Sequence, residues 1–108
     1  MGTNAVVSVR KNEQVVLKII TGVNGYQAPK LAQAIKKLGR VPTLNEALKL
    51  VEETKFSGEE SLVIMNTKTC IKPEGERLHR RYRQTFLDPR FNPRWKQGTA
   101  EFIEVIDF

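Results

Sequence analysis

The chain has 108 residues and a net charge of +6, and 40% of its residues are hydrophobic and 28% charged. These values are typical of one globular domain, residues 1–108, and argue against disorder. The apolar runs are too short to span a bilayer, no signal peptide opens the chain, and the single cysteine excludes an internal disulfide. We therefore expect a cytoplasmic protein without a membrane partner.

Basic charge is concentrated in residues 77–96, which hold seven cations and one acid, a net charge of +6. Residues 1–76 hold eleven cations and eight acids, which leaves +3. The last twelve residues hold three acids and no cation, which gives −3. The net charge of this one segment therefore equals the net charge of the whole chain. Such an asymmetric distribution of charge predicts an anionic partner.

Two antiparallel strands joined by a tight turn are predicted at the start of the chain. Apolar residues alternate over residues 5–11, and Val15, Leu17 and Ile19 repeat that pattern after Asn12 and Glu13. Residues 21–25 then form a loop rich in glycine and asparagine, which accept positive φ.

Two helices are predicted next. Pro29 suits the first turn of a helix, and Gly39 suits a left-handed residue at its end. Thr43 and Glu46 have the spacing of a capping box that opens the second helix, which would end near residues 56–58. The residues expected to face the core are Leu31, Ala34, Ile35 and Leu38 in the first helix and Leu44, Ala47, Leu48 and Val51 in the second.

The remaining apolar segments indicate strands. Residues 61–67 are apolar on both faces, which is typical of a central strand, and residues 100–108 are rich in β-branched residues. The order β-β-α-α-β, a basic region of uncertain structure, then β predicts an α+β fold. Two helices would pack on one face of a mainly antiparallel sheet.

Residues 76–86 fit two structures. Leu78, Tyr82 and Phe86 have helical spacing, whereas Leu78, Arg80 and Tyr82 also alternate as on a strand. The strand is slightly favoured, because it could pair with the terminal strand as a long hairpin.

Residues 5–38 resemble small uncharacterised proteins of phages and bacterial mobile elements. The resemblance rests on the hairpin, on Asn24, Gly25 and Tyr26, and on Pro29 opening a helix. Those proteins show an aspartate-glycine-tyrosine-proline turn, whereas here asparagine replaces the acid and two residues precede the proline. The resemblance implies a hairpin followed by a helix and a mobile-element origin, and it implies no activity.

Residues 88–95 have the sequence DPRFNPRW, which predicts two consecutive turns with proline at the second position of each. In a binding interpretation, Phe91 and Trp95 stack on bases while Arg90 and Arg94 meet phosphates. In a structural interpretation, which is favoured, both rings are buried and the guanidinium groups cover them.

A denser cationic cluster lies at residues 79–83. Seven cations of the basic segment in contact with a duplex would give a log–log salt slope of about −6. The equal alternative is a solvated face balanced by the acids Glu101, Glu104 and Asp107. The candidate binding residues are Arg80, Arg81, Tyr82, Arg83, Arg90, Phe91, Arg94 and Trp95.

Conventional catalysis has little support in the sequence. Cys70 and His79 are the one nucleophile–base pair, and a buried, inert cysteine is the favoured interpretation. One histidine and one cysteine cannot close a zinc site, so we expect no metal and no cofactor. The loop before Pro29, with Lys30 beside it, could seat an anion, but a strand-to-helix turn needs glycine in any case.

Three functions follow from these observations. The first is a non-enzymatic binding module that presents residues 77–96 to an anionic partner, with nucleic acid as the favoured class. The second is a self-associating accessory protein of a mobile element, a homodimer joined by the same loop or by the terminal strand. The third resembles the messenger-cleaving ribonucleases of toxin–antitoxin pairs, which cut RNA with arginine, tyrosine and lysine. Arg81, Tyr82 and Arg83 would imitate that set with His79 as base, although the leading hairpin argues against it.

Overall fold

The structure, a computed structural model, describes residues 3–21, 25–56, 62–65, 69–71 and 101–108. The described strands form one mixed sheet in the order β4-β3-β2-β1-β5, accompanied by two α-helices, so the predicted α+β class is confirmed. The elements in chain order are β1 (Ala5–Lys11), β2 (Gln14–Thr21), a short 3-10 helix (Gly25–Gln27), α1 (Ala28–Leu38), α2 (Leu44–Glu53), β3 (Leu62–Met65), β4 (Thr69–Ile71) and β5 (Phe102–Asp107).

The predicted hairpin of β1 and β2 is confirmed as an antiparallel pair. Its two-residue turn places Asn12 at φ 54° and Glu13 at φ 64°. Two positive φ values are typical of the type I′ turn, whose twist matches that of the flanking strands. The register shifts between Val9 and Arg10, which marks a bulge close to the turn.

The terminal strand is confirmed, but its described partner was not anticipated. β5 runs parallel to β1, with Ala5 beside Phe102 and Arg10 beside Asp107. A strand over residues 76–86, the expected hairpin partner of β5, lies outside the described residues. The sequence also missed β4, a three-residue strand that pairs with β3, so that β3 lies between β2 and β4 as expected for a central strand.

Both predicted caps are confirmed. Gly39 ends α1 in the left-handed conformation at φ 72°. At the start of α2, the Glu46 backbone N–H donates to the Thr43 hydroxyl at 3.2 Å, and the Thr43 N–H donates to the Glu46 carboxylate at 3.0 Å. Each residue thus satisfies a backbone donor that a helix start leaves open.

The end of α2 has the same backbone geometry as a glycine-capped helix, but a lysine occupies the critical position. Lys55 has φ 58° and its N–H donates to the Glu52 carbonyl at 3.2 Å. The Phe56 N–H donates to the Val51 carbonyl at 3.0 Å, which completes a Schellman motif, and the Phe56 side chain is fully buried. The helix therefore ends at Glu53, earlier than predicted.

One core cluster joins the helices to alternate residues of β1 and β2. Its buried side chains are Ala5, Val7, Val9, Leu17, Ile19, Ala28, Leu31, Ala32, Ile35, Ala47, Val51, Phe56, Val63 and Ile106. The prediction for α1 was partly wrong, because Ala28 and Ala32 are buried while Ala34 and Leu38 are half-buried. In α2 the half-buried Leu44 and Leu48 pack against this core.

The opposite face of β1 and β2 is buried as well. Val6, Ser8, Lys18 and Ile20 point away from the core cluster by alternation, and each has 0% exposure. Lys18 lies opposite Ser8 in the hairpin register. Lysine is almost never fully buried unless it is paired, so this position stands out in the middle of the sheet.

Gly25 connects the start of α1 to the start of β1. Its N–H donates to the Thr3 carbonyl at 2.8 Å, and a Cβ at this position would lie 2.6 Å from the same oxygen. The sequence predicts a loop over residues 21–25 that is rich in residues accepting positive φ. The structure assigns Gly25 to the close approach of two backbones instead, because its φ is not in the left-handed region.

Candidate functional site

The eight predicted binding residues, together with the rest of residues 77–96, lie outside the described residues. His79 lies there too, whereas Cys70 belongs to β4 and is paired with Ile64 in the register. Two described surfaces have the properties of interaction sites: the terminal strand β5 and the solvent face of α1.

Among the described strands, β5 is the last in the sheet and has β1 as its single neighbour. Exposure changes sharply between these two strands. Val6 and Ser8 have 0% exposure, while their register partners Ile103 and Val105 are 38% and 37% exposed. Phe108, just beyond β5, is 37% exposed. β5 therefore presents apolar side chains to solvent beside a fully covered strand.

Several contacts hold β5 to β1 at both ends. The Asn4 side-chain oxygen accepts from the Glu101 N–H at 3.1 Å, and the Phe108 N–H donates to the Arg10 carbonyl at 2.9 Å. The Arg10 guanidinium lies 3.3 Å from the Asp107 carboxylate. One of the three terminal acids is therefore paired with a cation of β1.

The solvent face of α1 is basic. Lys30, Gln33, Lys36 and Lys37 are exposed, and the buried residues of the helix lie on its other side. At about 3.6 residues per turn, Lys30 and Lys37 lie nearly on one line, with Lys36 on the far side of Gln33. No acid occurs in residues 14–45, and none of the described acids forms an ion pair with these three lysines.

The position of Lys30 is unfavourable for the helix itself. It lies in the first turn of α1, which contains no acid. The N-terminus of a helix carries partial positive charge and favours anionic side chains. Lys36 and Lys37 lie in the last turn, where the helix favours cations. Helix stability thus accounts for two of the three lysines and not for Lys30.

An exposed aromatic ring lies just before α1 in the chain. Tyr26 is 71% exposed, although it precedes α1 by only two residues. Its ring contacts the half-buried Phe102 of β5 edge to face, with centroids 5.5 Å apart and an interplanar angle of 62°. The contact supports the ring from one side while most of its surface remains in solvent.

Arg40, just after α1, differs from the three lysines because it is neutralised locally. Two of its guanidinium nitrogens lie 2.6 Å from the two Glu46 carboxylate oxygens. The side-chain hydrogen bond from Arg40, with a backbone hydrogen bond from Thr43, lowers the pKa of Glu46 to about 2. The same pairing raises the pKa of Arg40. Arg40 therefore stabilises the connection between α1 and α2 through its ion pair with Glu46.

A groove of about 240 Å³ lies between the helices and is lined by Leu38, Glu46, Lys49, Leu50 and Glu53. It is smaller than the roughly 300 Å³ at which ligand pockets begin. Within the described ranges, no three histidine, cysteine or acidic side chains are grouped as metal ligands. In the same part of the chain, no helix has the length and apolar character to cross a membrane.

No protein-family model, curated protein or solved structure matches the chain. The sequence alone did not predict the basic face of α1. The signal that could have revealed it is the acid-free stretch of residues 14–45, combined with the apolar periodicity of α1 that directs its lysines outward.

Proposed function

We propose that the protein is a non-enzymatic binding module that presents residues 77–96 to an anionic partner, with nucleic acid as the partner class. Two helices packed on one face of a mainly antiparallel sheet would form the scaffold. The observation that carries the proposal is the charge of this segment, seven cations and one acid. Arg80, Arg81, Arg83, Arg90 and Arg94 would contact phosphates, and Tyr82, Phe91 and Trp95 would stack on bases or brace the loop.

The contacts of the terminal strand support this proposal. An alternative account of the basic segment is that the acids of β5 neutralise it. Asp107 is already paired with Arg10 at 3.3 Å, so this carboxylate is engaged by a cation outside the segment. Glu104 is half-buried rather than extended into solvent. Of the three terminal acids, Asp107 is thus engaged outside the segment and Glu104 is half-buried, which weakens the account in which these acids neutralise a segment charge of +6.

The experiment is a binding titration with labelled single- and double-stranded RNA and DNA at two salt concentrations. We expect binding at low salt that weakens steeply as salt rises, with a log–log slope of about −6 on duplex if seven cations contact phosphates. A variant with Arg80, Arg81 and Arg83 changed to glutamine should lower the magnitude of that slope by about 3.

The matched control changes three exposed lysines outside the segment, Lys11, Lys49 and Lys55, to glutamine. Both variants lose the same charge, so a difference between them reports where the nucleic acid lies and not the total charge. Equal slopes in the two variants, or no binding at about 50 mM salt, would contradict the proposal. Cleavage of the RNA that is lost on changing Tyr82 to phenylalanine would replace it with the ribonuclease hypothesis.

A second candidate function is self-association through β5. The observation that favours it is the half-exposed Ile103, Val105 and Phe108 on the last described strand of the sheet. A strand edge with exposed apolar side chains is a template for pairing with a second copy of the chain. Three acids on the same segment limit the registers that such a pair could adopt, because like charges directly opposite are destabilising.

Light scattering tests this candidate on the unmodified protein and on a Val105→Lys variant. A lysine at this exposed position should convert a dimer to a monomer and leave the far-UV circular dichroism unchanged. Glu101→Lys is the control, because it reverses a charge at an exposed position on the same segment without touching the apolar side chains. A monomer at all protein concentrations would exclude the candidate.

A further inference from the structure

We infer that the solvent face of α1, with Lys30, Lys36, Lys37 and the exposed ring of Tyr26, is a second contact surface for single-stranded nucleic acid. The inference rests on the proposed function and adds a site to it. It is carried by described residues, whereas the proposal for residues 77–96 is carried by the sequence.

The charges on this face are arranged for a linear polyanion. Lys30 and Lys37 lie seven residues apart on nearly one line of the helix, which corresponds to about 10 Å along its axis. The ion pairs of the described residues involve other cations, Arg10, Arg40 and Lys49. The three lysines therefore form a field of one sign that runs the length of α1.

Tyr26 supplies a stacking surface just before α1, four residues ahead of Lys30 in the chain. A free aromatic side chain loses rotational freedom when a base stacks on it. Tyr26 is already held by its edge-to-face contact with Phe102 and is still 71% exposed. Exposed aromatic rings combined with cations are the groups that bind single strands without sequence preference.

The chemistry of the face selects nucleic acid over a membrane. Helices that bind membrane surfaces bury a large apolar face in the lipid. The apolar face of α1 is already used, because Leu31 and Ile35 are fully buried in the protein core. What remains in solvent is cationic and polar apart from Pro29 and Tyr26, which do not form the apolar face that insertion into lipid needs.

A nucleic acid and an acidic protein partner would also make different demands on Tyr26. Base stacking needs the flat π face of the ring, so phenylalanine should replace the tyrosine while leucine should not. An acidic peptide needs the lysines alone. The Tyr26→Phe and Tyr26→Leu pair therefore separates the two partner classes.

The test measures the salt dependence of binding to a labelled single strand for three proteins. One is unmodified, one has Lys30, Lys36 and Lys37 changed to glutamine, and the control has Lys11, Lys49 and Lys55 changed to glutamine. Loss of three phosphate contacts lowers the magnitude of the log–log slope by about 2 on single strands. Between about 50 and 200 mM salt, the unmodified protein should then lose roughly 20-fold more affinity than the α1 variant.

We expect the control triple to keep the unmodified slope, and Tyr26→Leu to weaken binding about 10-fold while Tyr26→Phe does not. All positions are exposed, and circular dichroism verifies that each variant folds. Identical slopes for the two lysine triples would overturn the inference. If the Arg80, Arg81 and Arg83 variant still lowers the slope, the proposed function stands without it. If the slope changes in the Lys30, Lys36 and Lys37 variant and not in the arginine variant, the inference is supported and the nucleic-acid site is not in residues 77–96.

Discussion

The two helices end with the same left-handed backbone but with different residues, and this difference makes a quantitative prediction. Gly39 has φ 72° and Lys55 has φ 58°. An L-residue in this conformation is strained by about 1–2 kcal/mol, which glycine avoids. Glycine also gains more entropy in the unfolded chain, which offsets about 0.4–1 kcal/mol. The Lys55→Gly variant should therefore be more stable than the unmodified protein by about 0.5–1 kcal/mol.

The reverse substitution should cost a similar amount. A Cβ added at Gly39 meets no atom within 4 Å, so Gly39→Ala introduces conformational strain and no clash. We expect a loss of about 0.5–1 kcal/mol, or a melting temperature lower by roughly 2–8 °C for a domain of this size. Urea denaturation and thermal melting measure both variants.

Lys55→Ala is the control for this pair, because it keeps the strained backbone and removes the long side chain. Its stability should stay close to that of the unmodified protein. The reasoning fails if Lys55→Ala is stabilised as much as Lys55→Gly, since the lysine side chain and not the backbone would then be responsible. It also fails if Gly39→Ala is neutral.

Three further predictions concern the caps and the helix face. Arg40 lowers the pKa of Glu46 to about 2, so the pair stabilises the fold above the ordinary glutamate pKa and this contribution is lost as pH falls towards 2. The free energy of unfolding of Glu46→Gln should therefore depend less on pH over that window. An unchanged pH dependence would contradict the pairing. Gly25→Ala should destabilise by about 1–3 kcal/mol in urea, because its Cβ would lie 2.6 Å from the Thr3 carbonyl oxygen; a neutral result would show that the two backbones separate easily. Lys30→Glu should stabilise the helix N-terminus by about 1 kcal/mol and so raise the melting temperature, while it weakens nucleic-acid binding. A lower melting temperature together with weaker binding would show that Lys30 is structural.

Local chemistry explains why much of the fold could be predicted. The capping box of Thr43 and Glu46 and the left-handed Gly39 act within a few residues, so their signals are complete in the sequence. The same holds for the hairpin turn, where two residues between two apolar segments mark the reversal, whereas the bulge that shifts the register between Val9 and Arg10 was not predicted. The left-handed Lys55 gave no signal, because glycine or asparagine is the residue that ordinarily marks this position.

Long-range pairing explains most of what was missed. The parallel alignment of β5 with β1 joins residues almost a hundred positions apart, and alternation within a strand does not name its partner. Ala32 and Ala34 are the same residue type, so composition could not decide which of them faces the core. Lys18 is buried because its strand is covered on both faces, which a single strand of mixed residues does not reveal.

The two candidate sites also differ in whether local sequence or the fold reveals them. The charge of residues 77–96 is visible in the sequence, because it depends on composition alone. The basic face of α1 required the fold, since its lysines form one surface only after Leu31 and Ile35 define the buried side. The role of Tyr26 likewise depends on Phe102, which lies far away in the chain.

The most direct test of the central claim uses the fluorescence of Trp95, the single tryptophan of the chain. Single-stranded RNA is added at low salt, and then salt is raised. If residues 77–96 bind nucleic acid with this ring stacked on a base, the emission should be quenched as RNA is added and should recover as salt releases it. Emission that stays constant, together with no binding of the RNA at low salt, would contradict the account, whereas constant emission with binding retained would assign Trp95 to bracing the loop.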